Sequence, residues 1–200
     1  MPSFRTVFAS ATLACLASAK TIKITATSDN TFDPDEIEAE KGDVLEFHFE
    51  AKNHSVVAGD YRYPCSPMEL GTGFFSGFVP TDSGSADKIF KVTVNDTDPT
   101  PFYSSQGQEC PGGMVGIVNP DSNKTLEDYK ERASELSSGV NPGRSVFGGD
   151  LADADDADPD ADDSGSSSSN DDKDGGNAAG VLGAPLSGIL AAVGLVFVVL

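Results

Sequence analysis

Two hundred residues with a formal net charge of −19, two histidines and no tryptophan leave room for one ordinary domain with appendages. So acidic a chain is a poor match for nucleic acid, because phosphate affinity comes from Lys and Arg. The charge is uneven: eleven Asp and one Lys fall between Asp150 and Asp174, about half of the total, so the folded part is smaller and less acidic than the whole.

Residues 1–19 hold Arg5, an apolar run from Val7 to Leu16 broken only by small residues, and a closing Ala17-Ser18-Ala19. A basic start, a short apolar stretch and a small-x-small end form a secretory signal peptide, and the run falls short of the roughly 20 residues that span a bilayer. The mature chain is expected to begin at Lys20, and Cys15 leaves with the signal. The two remaining cysteines, Cys65 and Cys110, are expected to pair in an oxidising compartment. N-glycosylation sequons at Asn53, Asn95 and Asn123 agree with that route.

From residue 20 to 120 the periodicity is that of strands. "KTIKITAT" places Ile22 and Ile24 on one face; "DVLEFHFE" turns Leu45, Phe47 and Phe49 inward and Glu46, His48 and Glu50 outward. "KIFKVTV" and "MVGIVNP" follow, separated by Gly, Pro, Asn and Asp clusters that serve as turns. Several short strands with such punctuation predict an all-β antiparallel sandwich. In "GTGFFSGF", Phe74, Phe75 and Phe78 either form an exposed patch or pack into the end of the sandwich.

Residues 121–149 form an extension with one short helix after the last strand. Thr125 is its N-cap, Asp128 follows three residues later, and Leu126, Tyr129, Ala133 and Leu136 recur at helical spacing. Asn141-Pro142-Gly143 is the expected stop. Residues 150–177 read as an acidic Asp/Ser-rich disordered stalk, with little to bury and strong self-repulsion. Its Asp spacing lacks the central glycine and terminal Glu of a calcium loop, so only nonspecific cation association is expected there. The Ser166–Ser169 run is a candidate for O-glycans. Residues 178–200 are uncharged and close on "GILAAVGLVFVVL" with no Lys or Arg behind it. This is the pattern of a removable GPI-anchor signal rather than of a transmembrane helix with basic flanks, and Asn177 is the expected attachment residue, ahead of Gly175 and Gly176.

The stretch "KGDVLEFHFEAKNHSV", a Cys eleven residues after His54, and "FYSSQGQECPGGMVGIVNP" resemble the phytocyanin-type cupredoxins, and more closely the fungal secreted cupredoxin-like serine-rich proteins, over Thr21 to Pro120. The resemblance implies a cupredoxin-like Greek-key β-sandwich. In the copper-binding members a His in an "NHSV"-like segment holds the metal together with the Cys, His and Met or Gln of C-x4-H-C-x3-M/Q. The second Cys of that motif pairs with the upstream Cys. Laid on this chain, the pattern puts His54 at the first ligand position, Ser104 in place of the ligand Cys, Glu109 in place of the second His, and Met114 at the axial position. It also implies the staple Cys65–Cys110.

Blue copper needs a thiolate and two imidazoles with a weak axial thioether. A serine hydroxyl is harder and stays protonated near neutral pH, and a carboxylate is a hard donor in a site shaped for nitrogen and sulfur. The expectation is therefore no cofactor, with a non-blue copper or zinc site on His54, Glu109 and Met114 as the alternative. Each residue also has a plainer reading: His54 as a loop cap bonded to backbone, Glu109 as a solvated surface charge, Met114 as core filler. Neither histidine has an evident triad partner, so catalysis is not expected. The function expected is a noncatalytic surface module, held to the membrane by a GPI lipid and contacting a cell-wall glycan or a surface protein. The other classes are a metalloprotein and a partner recruited through the acidic stalk alone.

Overall fold

The computed structural model describes residues 19–69 and 71–162. The expected signal peptide through residue 18, the Ser166–Ser169 run, Asn177 and the apolar end lie outside the described residues.

The strands run β1 (Thr21–Ala26), β2 (Phe32–Asp33), β3 (Glu36–Ile37), β4 (Val44–Ala58), β5 (Phe75–Ser85), β6 (Lys88–Thr93), β7 (Thr100–Tyr103) and β8 (Val115–Val118). Then come α1 (Leu126–Ser134), β9 (Asp150–Asp153) and a 3-10 turn at Ala154–Asp156. Two sheets share the long strand β4. One has the order β2-β1-β4-β6-β9 and uses the first half of β4; the other has the order β5-β4-β7-β8-β3 and uses the second half. β4 changes sheets at a bulge between Glu50 and Lys52, where Lys52 takes φ 102°. An extra residue in one strand bends it, which is what a chain crossing from one layer to the other requires.

The alternation read from the sequence sets the core. Ile22, Ile24, Leu45, Phe47 and Phe49 are all buried, together with Phe90 and Phe102. Phe102 stacks edge-on against Phe32 at 4.9 Å and Phe47 at 5.4 Å, geometries that suit aromatic quadrupoles. Phe74 and Phe75 belong to the interior and only Phe78 reaches solvent, so packing prevails over an exposed patch. A second cluster, with Tyr103, Val115, Ile117, Tyr129 and the Cys65–Cys110 disulfide, lies under α1. Thr125 caps α1 by accepting from the Asp128 amide. The helix ends at Ser134, so Leu136 is not on its buried face but exposed, and the stop comes well before Asn141.

Two expectations are corrected, and they share a cause. The acidic segment does not start a disordered stalk at Asp150. It first joins the edge of the sheet as β9, in register with β6, with Lys88 opposite Asp153 and Lys91 opposite Asp150; Lys88 and Asp153 form an ion pair. The segment stays attached as far as Asp162, which exchanges backbone hydrogen bonds with Thr21 and Lys23. Opposite charges directly across a ladder stabilise the pairing, and the β6 lysines supply them. Glu46 faces away from the apolar core as its alternation requires, yet its side chain is fully buried, because this acidic strap covers it.

Candidate functional site

β4 carries His54 into the interior, where it is fully buried. Its Nδ1 donates to Glu109 Oε2 at 3.1 Å. The same oxygen accepts from Ser104 Oγ at 2.7 Å. Ser104 Oγ in turn accepts from the Ser55 amide at 3.2 Å. Beside it, Ser55 Oγ and Ser105 Oγ are 2.9 Å apart, and the Ser105 amide donates to Ser55 Oγ. A single carboxylate oxygen therefore joins the end of β7, the middle of β4 and the loop between β7 and β8.

The loop is built to hold Glu109 there. Its amide donates to Gln106 O, its carbonyl accepts from the Met114 amide, and Gly112 closes on Gln108 O. Cys110, the next residue, is fixed to Cys65. Gly139 and Val140 then close the outside through bonds to Gly107 O and Cys65 O. Glu109 keeps only 12% of its side chain exposed, so it is a pinned acceptor rather than a solvated charge, and His54 bonds to it rather than capping a loop.

Met114 is fully buried and belongs to the main apolar cluster with Phe32, Phe47 and Phe102; core filler describes it best. Of the four positions that the resemblance matches to copper ligands, hydrogen bonds join three, His54, Ser104 and Glu109. Ser55 and Ser105, which complete the polar knot, were not singled out from the sequence. The available signal was serine at two strand ends, one in "HSVV" and two in "FYSS". His54 Nε2 is buried and makes no hydrogen bond. Of the sequons, Asn95 and Asn123 are exposed in loops, while Asn53 sits half-buried within β4.

A type 1 copper centre does not fit this donor set. One imidazole is present and its Nδ1 is engaged by a carboxylate; the thiolate position holds a hydroxyl that donates a hydrogen bond; both cysteines of the folded part are joined to each other. Among the described residues, no group of three or more His, Cys, Asp or Glu side chains converges on one point. Ser104 donates to the glutamate and not to the histidine, so these two do not form the Ser–His pair of a catalytic triad. Outside this knot, an open recess of about 390 Å³ is lined by Asp29, Asn30, Gln106, Gln108 and Glu109.

Fold and site together define a two-sheet β-sandwich with a disulfide-stapled loop closed over a buried His–Glu–Ser knot. No protein-family model matches the chain. The protein named "Probable GPI-anchored cupredoxin-1" from Arthroderma benhamiae is 33% identical over 135 residues, which are 66% of this chain and 69% of that protein. The "Extracellular serine-rich protein" of the same fungus is 33% identical over 153 residues, 76% of this chain and 59% of the relative, so the chain spans less than two thirds of that protein. Among solved structures, the reduced auracyanin of Roseiflexus castenholzii overlaps 51% of this chain and 97% of its own, with 18% identity and a TM-score of 0.37; so loose a superposition adds no weight to the strand topology. The chain belongs to the cupredoxin family, and these curated relatives are fungal.

Proposed function

We propose that this protein is a noncatalytic, glycosylated, GPI-anchored cupredoxin-like module of the cell surface, without type 1 copper, that contacts a wall glycan or a surface protein. The observation that carries the reading is the position of Glu109 Oε2, which accepts from both His54 and Ser104. A hydrogen-bonded acid stands as the hub between positions that, in copper-binding relatives, the metal itself joins. The scaffold and staple are kept while electron-transfer chemistry loses its thiolate. A recess rimmed by carboxyl and amide side chains suits a hydroxyl-rich ligand better than an apolar one. The names of the relatives support the surface location.

The test is to purify the secreted protein, add Cu(II), remove the excess and record metal content with the visible spectrum. Little retained copper and no intense thiolate-to-copper band are expected. A strong band would overturn the reading. Stoichiometric copper without it would favour a non-blue site, for which the unpartnered His54 Nε2 is the donor at hand.

A further inference from the structure

The three sequons occupy different surroundings. Asn95 lies in the exposed connection between β6 and β7, and Asn123 in the exposed loop that follows β8. Asn53 lies inside β4, opposite Pro80 of β5. Its side-chain oxygen is sealed from solvent without a hydrogen bond, and the other two residues of its triplet, His54 and Ser55, are both 0% exposed. An N-linked sugar on Asn53 would have to leave from a half-buried side chain in a strand paired to its neighbour, one residue after the Lys52 bulge.

The two exposed sequons share one pole of the sandwich. Thr100 pairs with Val118 at that end of the β7–β8 ladder, and Tyr103 with Val115 at the other. Asn95 precedes Thr100 and Asn123 follows Val118, whereas Ser104, Glu109 and Met114 lie beyond the Tyr103 end. The β4 register agrees: Val44 pairs with Thr93, beside Asn95, and His54 is ten residues further along the strand, up to about 30 Å away at roughly 3.3 Å per residue. The backbone of Asp162, the last described residue, joins Thr21 and Lys23, next to Val44.

We infer that Asn95 and Asn123 carry N-linked glycans and that Asn53 does not, so that sugar sheathes the pole that holds Asn95 and Asn123 and leaves the Ser104–Glu109 pole bare. The inference rests on the reading of this chain as a secreted glycoprotein. The donor is a lipid-linked oligosaccharide. The asparagine Nδ2 forms a bond to the anomeric carbon as the bond from that carbon to the diphosphate oxygen breaks. The amide gives up one proton, the polyprenyl diphosphate leaves, and nothing is oxidised or reduced.

The experiment uses the full chain secreted from a fungal host. Peptide-N-glycosidase acting in heavy-oxygen water converts each occupied Asn into a labelled Asp, which peptide mass spectrometry locates. Label at positions 95 and 123 and none at 53 is expected; Asn95→Gln and Asn123→Gln each remove one glycan's mass, and Asn53→Gln removes none. Label at 53, or an unlabelled 95 or 123 in a chain labelled elsewhere, overturns the assignment. A secreted chain with no label at all overturns the glycoprotein reading on which it rests.

Discussion

The backbone amide of Asp158 donates to Glu46 Oε2 at 3.0 Å, joining residues 112 positions apart. Around that carboxylate, Lys91 Nζ lies 3.1 Å from Oε2 and His48 Nε2 lies 2.7 Å from Oε1. Lys91 also donates to Asp156 O at 2.6 Å. Glu46 is thus the rivet that holds the acidic strap to the sheet.

Burial pushes the Glu46 carboxyl up, but the Asp158 amide, His48 and Lys91 outweigh it and hold the group below its ordinary value of 4.5. A carboxyl depressed by folding contributes stability that is present above its unfolded pKa and is lost as pH falls through the folded one. Strap protection should therefore persist from neutral pH down to about 4.5 and fail below it. Amide exchange of residues 150–162 measured at pH 6 and pH 3 checks this. Glu46→Gln should weaken the pH dependence, leaving the part that the Lys88–Asp153 pair carries, and cost on the order of 2 kcal/mol, since it leaves Lys91 without its buried counter-charge.

The strap is also aimed by glycine. A Cβ on Gly149 would stand 2.5 Å from Lys91 O and 2.7 Å from the Phe90 ring. Gly149→Ala should lift β9 from β6 while the core stays folded. The readout is faster exchange at 150–153 with unchanged protection of β4 and β7. Equal loss everywhere would refute this separation.

The copper argument makes a gain-of-function prediction. Ser104→Cys combined with Glu109→His restores the thiolate and the second imidazole beside His54, with Met114 unchanged. The double variant should bind Cu(II) and acquire an intense visible charge-transfer band, and neither single variant should match it. In the metal-free protein, Glu109→Ala strands the His54 and Ser104 donors in a buried site and should cost about 1–3 kcal/mol in a denaturant melt.

The disulfide closes a loop of 45 residues. Reducing it, or replacing both cysteines by Ala, should remove about 4 kcal/mol on the chain-entropy estimate. Tyr129, whose hydroxyl accepts from the Cys65 amide at 3.2 Å, should report the loosening through its fluorescence.

Alternation exposed the inner faces of β1 and the first half of β4 because apolar residues at period two sort themselves to one side. It did not reveal β5, where Gly77, Pro80, Ser83 and Gly84 look like punctuation although β4 supplies the pairing. β9 was hidden for a different reason. A run of Asp is poorly suited to a strand until lysines stand opposite it, and that complement lies some 60 residues away in β6. The site positions are what the family resemblance implies; the inward turn of Glu109 is not. That turn follows from two donors, His54 Nδ1 and Ser104 Oγ, whose need for an acceptor is a property of the folded pocket.

Asp162 ends the described strap in a two-bond clasp on β1, with its amide on Thr21 O and its carbonyl on the Lys23 amide. Tension pulling on the chain that follows meets this clasp first, then the Glu46 rivet, then the four rungs between β9 and β6. The load is therefore spent in stages on the outer face, and the aromatic interior is spared until the last rung parts.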